Sequence, residues 1–236
     1  MAAAFSLSSG EEISPSVSEQ ALSFPHSPTT GPGLHPARME NLSDGVFSIV
    51  MTLLVLNLKL PDMASAPITN HMLWAKIVTQ WPMFLGLVIS FLSLGSLWIG
   101  YRAMYHHIRL TNRSLMWLSI VFLLCVSLVP YTTGLITHFP FQPLAVGLYG
   151  GNMLLCSISL FWIWHQVTTS CHLVHNNITD DIIQLGRQRV MVGAICYALG
   201  ILGAFVLPWA SLWVYVAIAL YYVFPGKIDQ YWMSVE

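Results

Sequence analysis

The feature that most constrains this chain is a series of six apolar segments, each close to the length of a membrane-spanning helix. They cover residues 42–60, 81–104, 115–136, 144–167, 190–207 and 210–224. A helix needs about 20 residues to cross the hydrocarbon core of a bilayer. No segment carries a charged residue at its centre. The pattern predicts an all-α integral membrane protein with six transmembrane helices per chain.

The composition supports a membrane environment and excludes several other classes of protein. Only 8% of the residues are charged, against roughly 25% in a soluble domain. The formal net charge of −1 argues against a nucleic-acid-binding protein, which would carry a basic surface. Nine tryptophans and nine tyrosines, many near the ends of apolar segments, are typical of residues at the bilayer interface.

The two ends of the chain differ from its apolar middle. Residues 1–37 contain five prolines, many serines and no periodic apolar face, so we expect a disordered tail rather than a secretory signal. Residues 38–224 form the predicted helical domain. Residues 225–236 form a second, short tail.

Basic residues predict how the six segments cross the membrane. Seven lysines and arginines fall on the side that carries both ends of the chain, and two fall on the other side. The seven are Arg38, Arg102, Arg109, Arg113, Arg187, Arg189 and Lys227, and the two are Lys59 and Lys76. The positive-inside rule therefore places both termini in the cytoplasm of a multi-pass cell-membrane protein.

Small residues recur at helical spacing in several segments. Gly147 and Gly151 form a GxxxG pair in the fourth segment, and Gly200 precedes Ala204 by four residues in the fifth. Such residues let membrane helices approach closely. We expect them to pack helices within one chain, with a subunit contact as the alternative.

The sequence offers little support for catalysis. His106 and His107 are adjacent, so on a helix they point about 100° apart and cannot bind one metal ion together. His172 and His175 lack well-placed further ligands. No HExxH, GxSxG or phosphate-binding loop is present, and these are the motifs that would indicate hydrolase or nucleotide chemistry. Thr132–Thr133–Gly134 lacks the TVGYG pattern of a carbonyl-lined potassium filter. We therefore predict neither an enzyme nor a metal site.

The first segment contains the most specific pattern. On a helix, with Ile49 at zero, Leu53 lies at about +40°, Leu56 at about −20° and Thr52 at about −60°. Asp44 lies at about 220°, on the opposite side. These angles predict an apolar face with one hydroxyl, suited to packing around symmetry-related copies. An ordinary leucine-rich membrane helix would show the same face, so the angles alone leave both interpretations open.

The same segment resembles a family signature. Its residues Arg38, Leu42-Ser43-Asp44, Ser48-Ile49 and Thr52-Leu53-Leu54-Val55-Leu56 are similar to RxxxFSDxxxAIxxTLLxLEI, which opens the transmembrane protein 175 family of potassium channels. Two later stretches are similar to the family's second and third helices. These are Trp98 to His107, with Ser90–Phe91 upstream, and Leu128-Val129-Pro130-Tyr131.

The resemblance implies a potassium-selective leak channel of the bacterial single-repeat branch, a homotetramer in which the first helix of each chain lines a central pore. Residues 38–224 would be the six-helix channel domain. The constriction would consist of Ile49, Leu53 and Leu56, with Thr52 as a polar layer. No cofactor is implied beyond the permeant potassium ion. The alternatives are a proton-coupled or proton-conducting transporter that uses the histidine-rich cytoplasmic side, and a membrane scaffold without ion flux.

The polar part of the signature implies a structural clasp between the first helix and its neighbours. Its members would be Arg38, Ser43, Asp44, His106 and His107. Because an unpaired carboxylate at membrane depth is costly, we expect Asp44 to pair with Arg38 or one of the two histidines, or to cap its helix.

The chain departs from the signature at two positions. Leu42 replaces a phenylalanine, and Asn57 replaces an acidic residue near the outer end of the first helix. With Lys59 close by, the predicted outer mouth is less acidic than in the family.

Overall fold

The computed structural model describes residues 36–59, 69–106, 108, 111–169 and 180–223. Within these ranges the regular structure is α-helical, in the order α1 Pro36–Val55, α2 Asn70–Thr79, α3 Trp81–His106, α4 Arg113–Ser127, α5 Val129–His138, α6 Pro143–Thr169, α7 Asp180–Ala204 and α8 Pro208–Val223. The predicted tail 225–236 and all but the end of the predicted tail 1–37 lie outside the described residues.

The helices follow the six apolar segments with four differences. α1 begins and ends earlier than predicted, and α7 begins at Asp180 instead of residue 190. α2 was not predicted, and the third segment forms two helices, α4 and α5. Four continuous stretches are long and apolar enough to cross a membrane: Trp81–Tyr105, Arg113–His138, Pro143–Thr169 and Ile183–Ala204. α8 is apolar but shorter. The chain is thus an all-α, multi-pass membrane protein.

Local sequence explains several helix ends. Pro130 has no amide hydrogen and cannot continue the ladder of hydrogen bonds, and the break between α4 and α5 falls at Leu128, two residues before it. Asn112 caps α4, because its side chain accepts a 2.8 Å hydrogen bond from the Leu115 amide. Pro143 and Pro208 are the first residues of α6 and α8. An amide hydrogen at that position would have no partner within the helix, so its absence removes no hydrogen bond.

α6 is the central helix, packed against α4, α5, α7 and α8, while α1 packs against α3, α4 and α5. Aromatic rings fill the junction of α1, α3 and α4. Phe122 stacks on Tyr101 with ring centroids 5.1 Å apart and also lies 6.0 Å from Phe47. The inner face of α1 is therefore held by the same core that joins α3 to α4.

The small residues divide into two groups. A side chain at Gly200 would collide with the ring of Tyr215, and one at Gly86 would collide with the methyl group of Thr137. These glycines permit close packing within the chain. The GxxxG pair does not, because a Cβ at Gly147 or Gly151 would have nothing within 4 Å. The prediction of packing within the chain is wrong for that pair.

Candidate functional site

α1 has one face in the core and one face exposed. Its buried residues recur at spacings of three and four, which is the pattern of a helix with one packed stripe. They are Met39, Ser43, Phe47, Val50 and Leu54. The stripe lies against α3, α4 and α5. Packing within the chain therefore fixes the rotation of α1 about its own axis.

The opposite face carries the predicted row of aliphatic residues, all of them exposed in a single chain. Ile49 is 60% exposed, Leu53 41% and Leu56 74%. Thr52 is also exposed, and its hydroxyl donates a 2.8 Å hydrogen bond to the carbonyl of Ile49. Because the hydroxyl proton is used in this way, the lone pairs of the oxygen remain available as acceptors.

The row ends outside the helix. α1 stops at Val55, and the amides of Leu56, Asn57 and Leu58 bond to carbonyls three residues earlier, at 3.1, 3.2 and 3.0 Å. Such bonding corresponds to about three residues per turn, so Leu56 stacks almost directly above Leu53. The predicted helical angle of Leu56 is therefore inaccurate, but the residue stays on the same side.

Asp44 faces into its own chain, opposite the aliphatic row. One carboxylate oxygen accepts a 2.8 Å hydrogen bond from the indole nitrogen of Trp98, and the other lies 2.7 Å from the guanidinium of Arg102. That guanidinium also lies 5.9 Å from the centre of the Trp98 ring, within the range of a cation–π contact. Asp44, Trp98 and Arg102 thus form a clasp, the α1–α3 clasp, in the N-terminal half of α1.

The membership of this clasp differs from the prediction. Arg38 is exposed and forms no ion pair in the part of the chain that the structure describes. Ser43 bonds within α1, where its hydroxyl donates to the carbonyl of Glu40 at 2.7 Å. His107 and the side chain of His106 lie outside the described residues. The expected partner Arg38 is therefore wrong, and Arg102 takes its place.

A second contact holds the other end of α1. The side-chain amide of Asn57 donates a 2.9 Å hydrogen bond to the carbonyl of Pro130, at the start of α5. Nearby, Gln80 donates to the carbonyl of Lys59 at 3.2 Å. Asn57 is half-buried, so the residue at the family's acidic position is directed toward α5.

Sequence reasoning missed Trp98, Arg102 and Pro130 as contacts of α1. A signal existed for the first two, because Trp98 and Arg102 are four residues apart and share one face of α3. Contacts between separate helices depend on how the helices pack, which helical periodicity does not specify. The contact of Asn57 with Pro130 has no comparable signal.

These contacts keep the aliphatic row of α1 exposed. α1 is held by a charged clasp in its N-terminal half, by an amide hydrogen bond just beyond its C-terminal end and by a buried stripe along its length. The aliphatic side chains of the row offer no ligand to an ion. No group of three potential metal ligands occurs among the residues placed by the structure. Such a surface can exclude water and restrict passage, but it cannot perform bond chemistry.

Comparison with known proteins matches the part of the chain that contains this row to a family of ion channels. The family described as "Endosomal/lysosomal potassium channel TMEM175" matches residues 38–130, which include all of α3 and all but the first two residues of α1. A potassium channel of Streptomyces collinus is 30% identical over 191 residues, which are 79% of this chain and 91% of that protein. The mouse endosomal/lysosomal proton channel TMEM175 is 30% identical over 165 residues, covering 66% of this chain but only 32% of the mouse protein.

A solved structure extends the similarity to the whole fold. The crystal structure of a lysosomal potassium-selective channel TMEM175 homologue from Chamaesiphon minutus superimposes with a TM-score of 0.70. The two sequences are 25% identical, and the superposition covers 80% of this chain and 96% of the other. The similarity therefore includes the later helices, beyond the segment that the family pattern matches.

Proposed function

Because the chain belongs to the TMEM175 family of ion channels, we propose that it is a potassium channel of the bacterial, single-repeat kind. The observation that carries this proposal is the exposed row of Ile49, Leu53 and Leu56 on α1. The row lies on a helix whose rotation is fixed by packing, and it falls inside the segment that matches the family. Relatives from two bacterial genera, Streptomyces and Chryseobacterium, are named potassium channels.

The proposed assembly is a homotetramer with α1 around the central axis. One helix cannot enclose a conduction path, and this chain offers one helix of this type. An apolar row held outward by the contacts of Asp44 and Asn57 suits contact with copies of itself, since a ring of such helices would cover it. Chemical cross-linking or mass measurement in detergent tests the assembly. A stable monomer or dimer would contradict it.

The proposed conduction path has a hydrophobic constriction in place of a carbonyl filter. Rings of Ile49, Leu53 and Leu56 would lie at successive levels, with about 6 Å between the first two at 1.5 Å per residue. Passage through an aliphatic ring depends on its width and hydration, so the same ring acts as barrier and gate. The free lone pairs of Thr52 would supply the acceptor oxygens at this depth for a partly dehydrated potassium ion.

The proposed orientation places both termini in the cytoplasm of the cell in which the channel works. The α1–α3 clasp then lies on the cytoplasmic side, where the positive-inside rule concentrates basic residues such as Arg102. Asn57 and Pro130 lie toward the outer side. A leak-type channel of this kind needs no bound cofactor.

The test is a current measurement on purified protein in planar bilayers under a potassium/sodium gradient. The wild-type protein should give a reversal potential close to that of potassium. Ile49→Asn should raise conductance and move the reversal potential toward zero, because a polar ring stays hydrated and discriminates less. Ile195→Asn is the matched control. Ile195 is exposed to a similar extent, 53%, but lies on α7, which is not among the helices that pack against α1.

Three results would refute the proposal. If Ile49→Asn, Leu53→Asn and Thr52→Ala all leave current and selectivity unchanged, the pore runs elsewhere. If current follows an imposed pH gradient rather than the potassium gradient, the chain conducts protons, the function for which its mouse relative is named. No current at all in the presence of intact tetramers would favour a scaffold.

A further inference from the structure

An apolar cavity of about 240 Å³ lies between α3 and α8, away from the exposed row of α1. Leu85 and Ile89 of α3 form one wall, and Leu212 and Val216 of α8 form the facing wall. Ile136 of α5 closes one side. None of the described residues that line it belongs to α1, so the proposed conduction path does not account for the cavity.

The polar atoms at the floor of this α3–α8 cavity already bond to one another. Thr133 donates to Ser90 at 2.8 Å, and Ser90 donates to the hydroxyl of Tyr149 at 3.2 Å. The hydroxyl of Tyr215 donates to the carbonyl of Val146 at 3.3 Å. A polar ligand would therefore find few unbonded donors or acceptors in the cavity. A hydrocarbon chain could enter without breaking any of these hydrogen bonds.

Aromatic residues form the rim of the cavity. Trp81 begins α3, Trp209 and Trp213 lie in the first turns of α8, and Phe141 lies between α5 and α6. All four are more than half exposed. Tryptophan is enriched where a membrane protein meets the lipid headgroups. The rim therefore indicates an opening near the headgroup level, with the apolar walls extending toward hydrocarbon depth.

We propose that the α3–α8 cavity is a binding site for one acyl chain of a membrane lipid. Its volume is below the roughly 300–1,000 Å³ of pockets for drug-sized ligands, which suits part of a single chain. An empty cavity would deprive its walls of dispersion contacts, and neighbouring lipid tails are the apolar groups at hand to restore them. Lipid tails are already out of water, so binding within a bilayer depends on packing contacts and not on the hydrophobic effect. A cavity that fits an acyl chain closely therefore binds it through its shape.

The test maps where lipid tails touch the protein and does not depend on channel activity. The full chain is reconstituted in phosphatidylcholine vesicles that contain a phosphatidylcholine with a photoreactive diazirine near the end of one acyl chain. After irradiation, peptides are analysed by mass spectrometry. We expect labelling at Ile89, which is only 7% exposed and lines the cavity.

Two valines on α8 provide a matched pair of variants. Val216→Phe should fill the cavity and cause a severalfold loss of labelling at Ile89. Val214→Phe, the same change at an exposed position that does not line the cavity, should leave that labelling unchanged. If the Val216→Phe variant does not elute from size-exclusion chromatography as the wild-type protein does, the Leu212→Phe variant is used in its place.

Other outcomes would overturn the proposal. No label at Ile89, or equal labelling in all variants, would show that lipid tails touch only the outer surface. Equal labelling by a diazirine on the headgroup would show that the site is not specific for the chain. Efficient cross-linking between subunits through Leu212→Cys would show that a second copy of the protein covers the opening.

Discussion

Replacement of Asp44 tests how much each contact of the α1–α3 clasp contributes to stability. The two contacts are the ion pair with Arg102 and the hydrogen bond from Trp98. Asp44→Asn keeps an acceptor for the Trp98 indole and removes the ion pair with Arg102. The two side chains of that pair are 37% and 51% exposed, and exposed ion pairs contribute about 0.2–1 kcal/mol. Since 1 kcal/mol shifts Tm by about 2–4 °C in a chain of this size, we expect a decrease of about 0.4–4 °C.

Asp44→Leu should have a larger effect than Asp44→Asn. It removes the acceptor as well as the charge and leaves the part-buried indole N–H of Trp98 without its partner. An unsatisfied donor of this kind costs about 1–3 kcal/mol. The expected order of stability is therefore wild type, Asp44→Asn, Asp44→Leu, with the larger step between the last two.

The assay is thermal unfolding followed by fluorescence-detected size-exclusion chromatography, which also reports the fraction of assembled protein. A double-mutant cycle of Asp44→Asn with Arg102→Gln isolates the ion pair. Glu40→Gln is the control, because Glu40 lies one turn earlier on α1 and forms no ion pair among the residues described. A coupling energy of zero, or equal losses for Asp44→Asn and Glu40→Gln, would refute the assignment of Arg102 as the partner.

Three further predictions concern other contacts. Asn57→Asp should lower Tm by more than Asn57→Ala, because a carboxylate oxygen would face the Pro130 carbonyl where an amide now donates; equal values would refute the hydrogen bond. Gly200→Ala should destabilise by about 1–3 kcal/mol through overpacking against Tyr215, whereas Gly147→Ala should leave the unfolding midpoint of the detergent-solubilised chain unchanged. In planar bilayers, Thr52→Ser should retain selectivity and Thr52→Val should reduce it, since only serine preserves the acceptor oxygen; similar reversal potentials for both variants would exclude a direct role for that oxygen.

Much of the fold follows from the sequence because hydropathy and length are local properties. The long apolar segments around α3, α6 and α7 predict helices there without knowledge of any partner. The missing element, α2, is a helix of 10 residues with none of them buried, and it is about half as long as a helix that spans a membrane. The break at Leu128 has a local cause in Pro130, but whether a proline bends or divides a helix depends on the surrounding contacts.

The candidate site was predictable to the extent that it lies on one helix. Helical angles place Ile49, Leu53 and Thr52 on one side and Asp44 on the other, and the structure has them so. The partners of Asp44 and Asn57 come from residues 54 and 73 positions further along the chain. No periodicity within α1 specifies them. The shift of Leu56 arises because the last turn tightens where the helix ends, an effect that a uniform angle per residue omits.

The two attachments of α1 hold the helix at points that a bend between α4 and α5 would displace little. Asp44 is joined to α3, a single continuous helix, whereas Asn57 is joined to the first turn of α5, immediately after the discontinuity at Leu128. Pro130 lies only two residues beyond Leu128, so a tilt of α5 about that discontinuity would move the Pro130 carbonyl very little. The hydrogen bond from Asn57 would therefore keep the outer end of α1 in place while the rest of α5 moves.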